Sequence, residues 1–145
     1  FQGTGWQRCQ VHFIRNFMSK FSRKDSKRYI LKLKDIFAAP DIDQARERKE
    51  RLVKELDIIK PKLSDWLDTE IESCFTVYSL PAEHRKRMRS TNMIERFNQE
   101  LLRRSRVIRI FPNEASCIRL FGSMCMEQSE QWQTGRRYLD MRLLK

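Results

Sequence analysis

Ser90-Thr91-Asn92-Met93-Ile94-Glu95-Arg96-Phe97-Asn98-Gln99-Glu100-Leu101 is the stretch on which the reading of this chain turns. Ile94, Phe97 and Leu101 recur at helical spacing and are expected to face a core. Asn92 suits an N-cap, and Glu95, three residues on, can reach back to the cap's N–H as in a capping box. Glu95 lies one position round from the apolar stripe, at the start of the helix. A carboxylate there is either a cap partner or a metal ligand, and the residues alone leave both open. Outward from it, His84 to Arg109 carries nine Lys/Arg against two acids, Glu95 and Glu100, a surplus of +7 (nine minus two) out of +11 for the whole protein.

That charge makes a polyanion, above all nucleic acid, the expected partner. A length of 145 residues suits one domain with a buried core, and 40% hydrophobic content argues against wholesale disorder. Four glycines and four prolines leave little room for a turn-rich β architecture, so a mainly α fold is expected. No apolar run approaches the roughly 20 residues of a membrane span, and no signal peptide is visible. Cys9, Cys74, Cys117 and Cys125 are irregularly spaced in apolar surroundings, as expected of reduced, packed thiols in a cytoplasmic protein.

Trp6 to His12 alternates loosely and reads as one buried strand. Phe13, Ile14, Phe17, Met18 and Phe21 then follow an amphipathic helical period. Asp25 or Ser26 is expected to cap a second helix with Tyr29, Ile30, Leu33, Ile36 and Phe37 on one face. A third spans about Asp43 to Ile59 with Ala45, Leu52, Val53, Leu56 and Ile59 inward, and mixed charges at i, i+4 spacing on its solvated face. Pro61 opens a fourth helix as an N1 proline, with Leu63, Trp66, Leu67, Ile71 and Cys74 inward. Phe75 to Leu80 is β-branched and aromatic and reads as extended. Asn113 caps a long last helix whose apolar residues run nearly all round, which predicts burial.

No Gly-rich phosphate loop exists. Cys9-Gln10-Val11-His12 has the spacing of half a zinc site, but the other cysteines and His84 form no second close pair. A single carboxylate, Glu95, cannot hold the paired ions of a two-metal phosphoryl-transfer site.

Four stretches together resemble the Mutator-type transposases of bacterial insertion sequences. They are Trp6 to Asn16, with its Cys-x-x-His pattern; Ser90 to Asn98; Arg103 to Asn113; and Trp132-Gln133-Thr134-Gly135-Arg136-Arg137-Tyr138-Leu139. All four stand in family order and spacing, so the resemblance covers essentially the whole chain. It implies a ribonuclease-H-like core with an Asp-Asp-Glu triad that holds magnesium or manganese for DNA strand cleavage and transfer. Glu95 would be the third acid and its metal ligand, and Cys9 and His12 would be the family's Cys-x-x-His motif. The implied organisation is a last core strand over residues 1–12, a helical insertion over 13–80, and C-terminal core helices with the basic stretch over 81–145.

The two aspartates of that family precede the Trp-Gln-Arg-Cys stretch, and here only Phe1-Gln2-Gly3-Thr4-Gly5 precede it. The expectation is therefore a C-terminal portion of a bacterial, cytoplasmic transposase, inactive alone and without a bound metal of its own. It is expected to hold DNA, both transposon ends and target, through Arg85, Lys86, Arg87, Arg89, Arg96, Arg103, Arg104, Arg106, Arg109, Arg136 and Arg137, with self-association in the parent. The rival is a non-catalytic basic helical module for DNA binding or oligomerisation, in which Glu95 only caps.

Overall fold

The computed structural model describes residues 2–135 and 138–144, the side chain of Arg23 excepted. It is mainly helical, with no strand among the described residues. The α-helices are α1 (Gln10–Met18), α2 (Arg23–Phe37), α3 (Ile42–Ile59), α4 (Pro61–Glu70), α5 (Ala82–Met88), α6 (Asn92–Ile108) and α7 (Glu114–Thr134). Short 3-10 turns occupy Ile71–Cys74, Thr76–Ser79 and Met141–Leu144. The chain divides into two units, one running to Ser90 and the other from Thr91.

The first unit has the core. Phe13 and Phe17 from α1, Leu33 and Ile36 from α2, Ala45, Leu52 and Leu56 from α3, Leu67 from α4 and Ile71 are all nearly or fully buried. These are the stripes expected from periodicity, because a helix must bury its apolar face against another element. Rings carry much of the contact. Phe13 stacks on Trp66 at 5.1 Å between centroids and meets Phe37 edge-on at 6.0 Å, and Phe37 in turn meets Phe75 at 6.3 Å. Ile59, expected inward, is 55% exposed at the last residue of α3. Helix starts follow local chemistry: Ser22 caps α2 in place of Asp25 or Ser26, Asp41 caps α3, and Pro61 takes the first turn of α4.

The expected strand over Trp6 to His12 does not form. Residues 4–9 have no regular structure, and His12 lies inside α1. A strand needs a neighbour to share a ladder, and this segment satisfies its polar groups singly instead. The Arg8 N–H donates to the Ser73 carbonyl at 2.8 Å, Thr76 Oγ1 donates to the Trp6 carbonyl at 2.6 Å, and the Gln7 and Gln10 amides both donate to the Cys74 carbonyl at 3.0 Å. Phe75 to Leu80, expected extended, contains the 3-10 turn Thr76–Ser79. Burial of Phe75, at the start of that turn, and of Val77 within it overrides their β propensity.

Charged clasps tie the helices of this unit. Lys49, its side chain only 12% exposed, sits 2.9 Å from both Asp68 and Glu72, and Arg46 adds a 3.0 Å contact to Glu72. Burial works against the charged form of Glu72, but hydrogen bonds from Arg46 and Lys49 hold its carboxyl below the usual range.

Arg85 spans α5 and two loops: its guanidinium donates to the carbonyls of Leu80 (2.9 Å), Pro40 (2.6 Å) and Tyr78 (3.3 Å) and lies over the Tyr78 ring. Charge-assisted bonds of this kind stabilise more than neutral ones. Arg85→Ala is expected to cost about 2 kcal/mol in urea unfolding, whereas Lys86→Ala, at an exposed position on the same helix, should stay within about 0.5 kcal/mol. Equal, small losses for both would overturn the clasp.

The second unit holds α6 and α7. Phe97 meets Trp132 at 6.3 Å and Phe111 meets Phe121 at 6.2 Å between centroids. Asn113 caps α7 as expected, its side chain accepting from the Ser116 N–H at 2.9 Å. The expected burial of α7 is not found: no residue of α6 or α7 is buried among those described, and Ile118 is 61% exposed. A helix that is apolar all round needs neighbours all round, and here the ring contacts to α7 come from Phe97 of α6 and from Phe111 beyond its end.

Candidate functional site

Glu95 lies in the first turn of α6, half-buried. The capping box expected from Asn92 is not made. The helix begins with Asn92 itself, and Thr91 stands at the N-cap with no side-chain bond to the helix's backbone N–H groups. Asn92 therefore already has helical geometry, which carries its side chain away from the position a cap requires. The Glu95 carboxylate instead accepts a hydrogen bond from the Thr91 hydroxyl one turn earlier. A carboxylate in a first turn is also favoured by the helix dipole.

Cys9 and His12 occupy the start of α1, in the first unit. Cys9 is the half-buried N-cap residue, and its carbonyl accepts the Phe13 N–H at 3.0 Å. His12, three residues on, is exposed on the same side of the helix. Cys74 is of a different kind. Burial pushes its thiol up to about 12, so it stays protonated and acts as a packed hydrophobe. None of the four cysteines is bridged in a disulfide, and Cys125, expected to be packed, is exposed.

The basic stretch divides by what each side chain touches. Arg85 is committed to backbone carbonyls, as described above. Arg103 and Arg104 share one acid: Arg103 makes a two-pronged contact with Glu100 at 2.7 and 2.8 Å, and Arg104 Nε reaches it at 3.0 Å. Hydrogen bonds from both guanidiniums pull the Glu100 carboxyl down to about 2. Lys86, Arg89, Arg96, Arg106 and Arg109 are exposed, and Arg87 is half-buried. Arg136 and Arg137 lie outside the described residues.

Arg109 ends α6 with φ 61 and ψ −62, and the Ile110 N–H closes onto the Ile108 carbonyl at 2.7 Å. This is a γ-turn of the rare, strained hand. It costs a side chain about 1–3 kcal/mol that glycine would avoid.

Sequence reasoning missed Lys34. It is exposed on α2 and lines a groove of about 420 Å³ with Gln10, Val11, Ile14, Phe37 and Arg89. A single lysine on the polar face of an amphipathic helix carries no signal that would set it apart. No helix among the described residues is long and apolar enough to cross a membrane.

Residues 1–135 match the family model described as transposase, Mutator family. Among similar proteins are the transposase for insertion sequence element ISRM5 of Rhizobium meliloti, 38% identical over 95% of this chain and 35% of that protein, and the transposase for IS256 in transposon Tn4001 of Staphylococcus aureus, 42% identical over 97% and 36%. The transposase for IS1081 of Mycobacterium tuberculosis is 32% identical over 97% and 34%. The chain thus spans about a third of the length of these curated relatives. No solved structure matches it.

Proposed function

This chain belongs to the Mutator family of transposases, and from that premise we propose that it is the portion of a DNA transposase that supplies the third acid of the catalytic triad together with a cationic surface for DNA. The observation that carries the proposal is Glu95: a half-buried carboxylate in the first turn of α6 that accepts a hydrogen bond from the Thr91 hydroxyl.

A carboxylate oxygen suits magnesium or manganese, whereas thiol and imidazole suit softer ions. Glu95 therefore fits as the metal ligand of this chain, and Cys9 and His12 carry the Cys-x-x-His motif. When bound, such ions activate the attacking oxygen and stabilise the leaving one in strand cleavage and transfer. Two aspartates from outside these residues would complete the ligand set, so the chain by itself is inactive. The ribonuclease-H-like core of which residues 1–12 and 81–145 would be parts belongs to the same proposal, as does a cytoplasmic, bacterial setting.

Lys86, Arg87, Arg89, Arg96, Arg106 and Arg109 would hold the phosphates of transposon ends and target DNA, with Arg103 and Arg104 joining when they leave Glu100. An arginine at the strained 109 position supports this, since backbone strain clusters where a side chain has a task. The exposed Ile94, Leu102, Ile118 and Met126 of α6 and α7 support self-association of the parent. The test is duplex DNA binding followed by fluorescence anisotropy. Reversing Lys86, Arg106 and Arg109 together to glutamate is expected to weaken binding at least about tenfold, because each phosphate contact contributes mainly through charge. Unchanged affinity would overturn the assignment of the surface.

A further inference from the structure

Resting on the DNA-binding reading above, we propose that the groove between α1, α2 and the end of α5 holds one unpaired nucleotide of a DNA strand. Its base would lie against Val11, Ile14 and Phe37, and its phosphates would lie between Lys34 and Arg89. The groove, of about 420 Å³, falls within the usual range of small-molecule sites. Val11 and Ile14 are half-buried and Phe37 is 9% exposed, so the floor is apolar and continuous with the core.

Two cations stand on it with nothing to neutralise them. Among the described residues neither Lys34 nor Arg89 has an ion pair or a side-chain hydrogen bond, and no acid lines the groove. The nearest acid in sequence, Asp35, is held by Arg48 at 2.9 Å. An apolar slot edged by two cations complements a flat base carrying anionic phosphates, and base burial with backbone neutralisation is how unpaired nucleotides are held.

The walls are already set in place. The Gln10 N–H donates to the Arg89 carbonyl at 2.9 Å, and the Gln10 amide donates to the Cys74 carbonyl at 3.0 Å. Little ordering would be lost on binding. Val11 lies between Cys9 and His12, so the nucleotide would sit beside the Cys-x-x-His motif.

The experiment uses the 145-residue chain and three labelled probes: a single-stranded oligonucleotide, the same strand with abasic sites, and a duplex. The intact strand is expected to bind about tenfold more tightly than the abasic one, the size of a stacking contribution. Val11→Phe, which fills the groove, should bring the intact strand down to the abasic value. Lys34→Ala, at an exposed position, should weaken the intact strand several-fold and covers the case in which Val11→Phe fails to fold. Equal affinity for intact and abasic strands, with the duplex still bound, would overturn the groove and leave the DNA-binding reading standing. A preference for the intact strand that survives both substitutions would place the base elsewhere, and failure to bind any probe would overturn both readings.

Discussion

Glu95→Gln, placed in a transposase that carries this segment together with the two aspartates of its family, is expected to abolish strand cleavage while leaving the melting temperature within a few degrees. The two halves of that result come from different properties of one carboxylate. For folding, the Glu95 side chain accepts a hydrogen bond from the Thr91 hydroxyl, and the amide oxygen of glutamine accepts the same bond. The helix start does not depend on the side chain through a capping box, since α6 begins at Asn92 with no side-chain cap. The cost should be well under about 1 kcal/mol, which shifts the midpoint of a domain this size by a few degrees at most.

For chemistry, the substitution removes the negative charge that binds a hard cation. Metal ions contribute several kcal/mol of transition-state stabilisation, so cleavage should fall by about a thousandfold or more. Both quantities should be read on one preparation. Retained cleavage would refute the catalytic assignment, and a collapsed melting transition would show that the carboxylate holds the fold.

Duplex binding by the chain is expected to weaken about a thousandfold between 50 and 200 mM salt if six phosphates are neutralised. The count comes from sorting the basic stretch by contacts. Arg85 is spent on carbonyls, and Arg103 and Arg104 share Glu100. That leaves the exposed Lys86, Arg89, Arg96, Arg106 and Arg109, with half-buried Arg87 as the sixth once it gives up the interaction it already makes. Counterion release sets the slope of log affinity against log salt at about −0.9 per phosphate, hence near −5 for six.

Glu100→Gln gives the count a second check. Without that anion Arg103 and Arg104 are released, so affinity at low salt should rise and the slope should steepen by up to about 2. Binding indifferent to salt would end the electrostatic account. A slope unchanged in Glu100→Gln would mean that those two arginines point away from the DNA.

What the sequence determined by itself was the local and the familial. The faces of α1 to α4, the proline at the start of α4 and the Asn113 cap were all legible, because helical hydrogen bonds and caps close within a few residues and a 3.6-residue period shows in the order of side chains. Membership of the transposase family was legible too, carried by four motifs in order. The tertiary structure decided what depends on distant partners. Trp6 to Cys9 meets Ser73 to Val77 through single bonds, not a ladder, and Phe75 to Leu80 winds where it alternates like a strand, since pairing and burial are set across the fold. The same holds for charge. Arg85 and Arg106 look alike in the basic stretch, yet one clasps three carbonyls and the other faces solvent. Lys34 stands more than fifty residues from Arg89 in the chain and shares a groove with it. A side chain's charge is written in the sequence, but what that charge meets is settled only when the chain has folded around it.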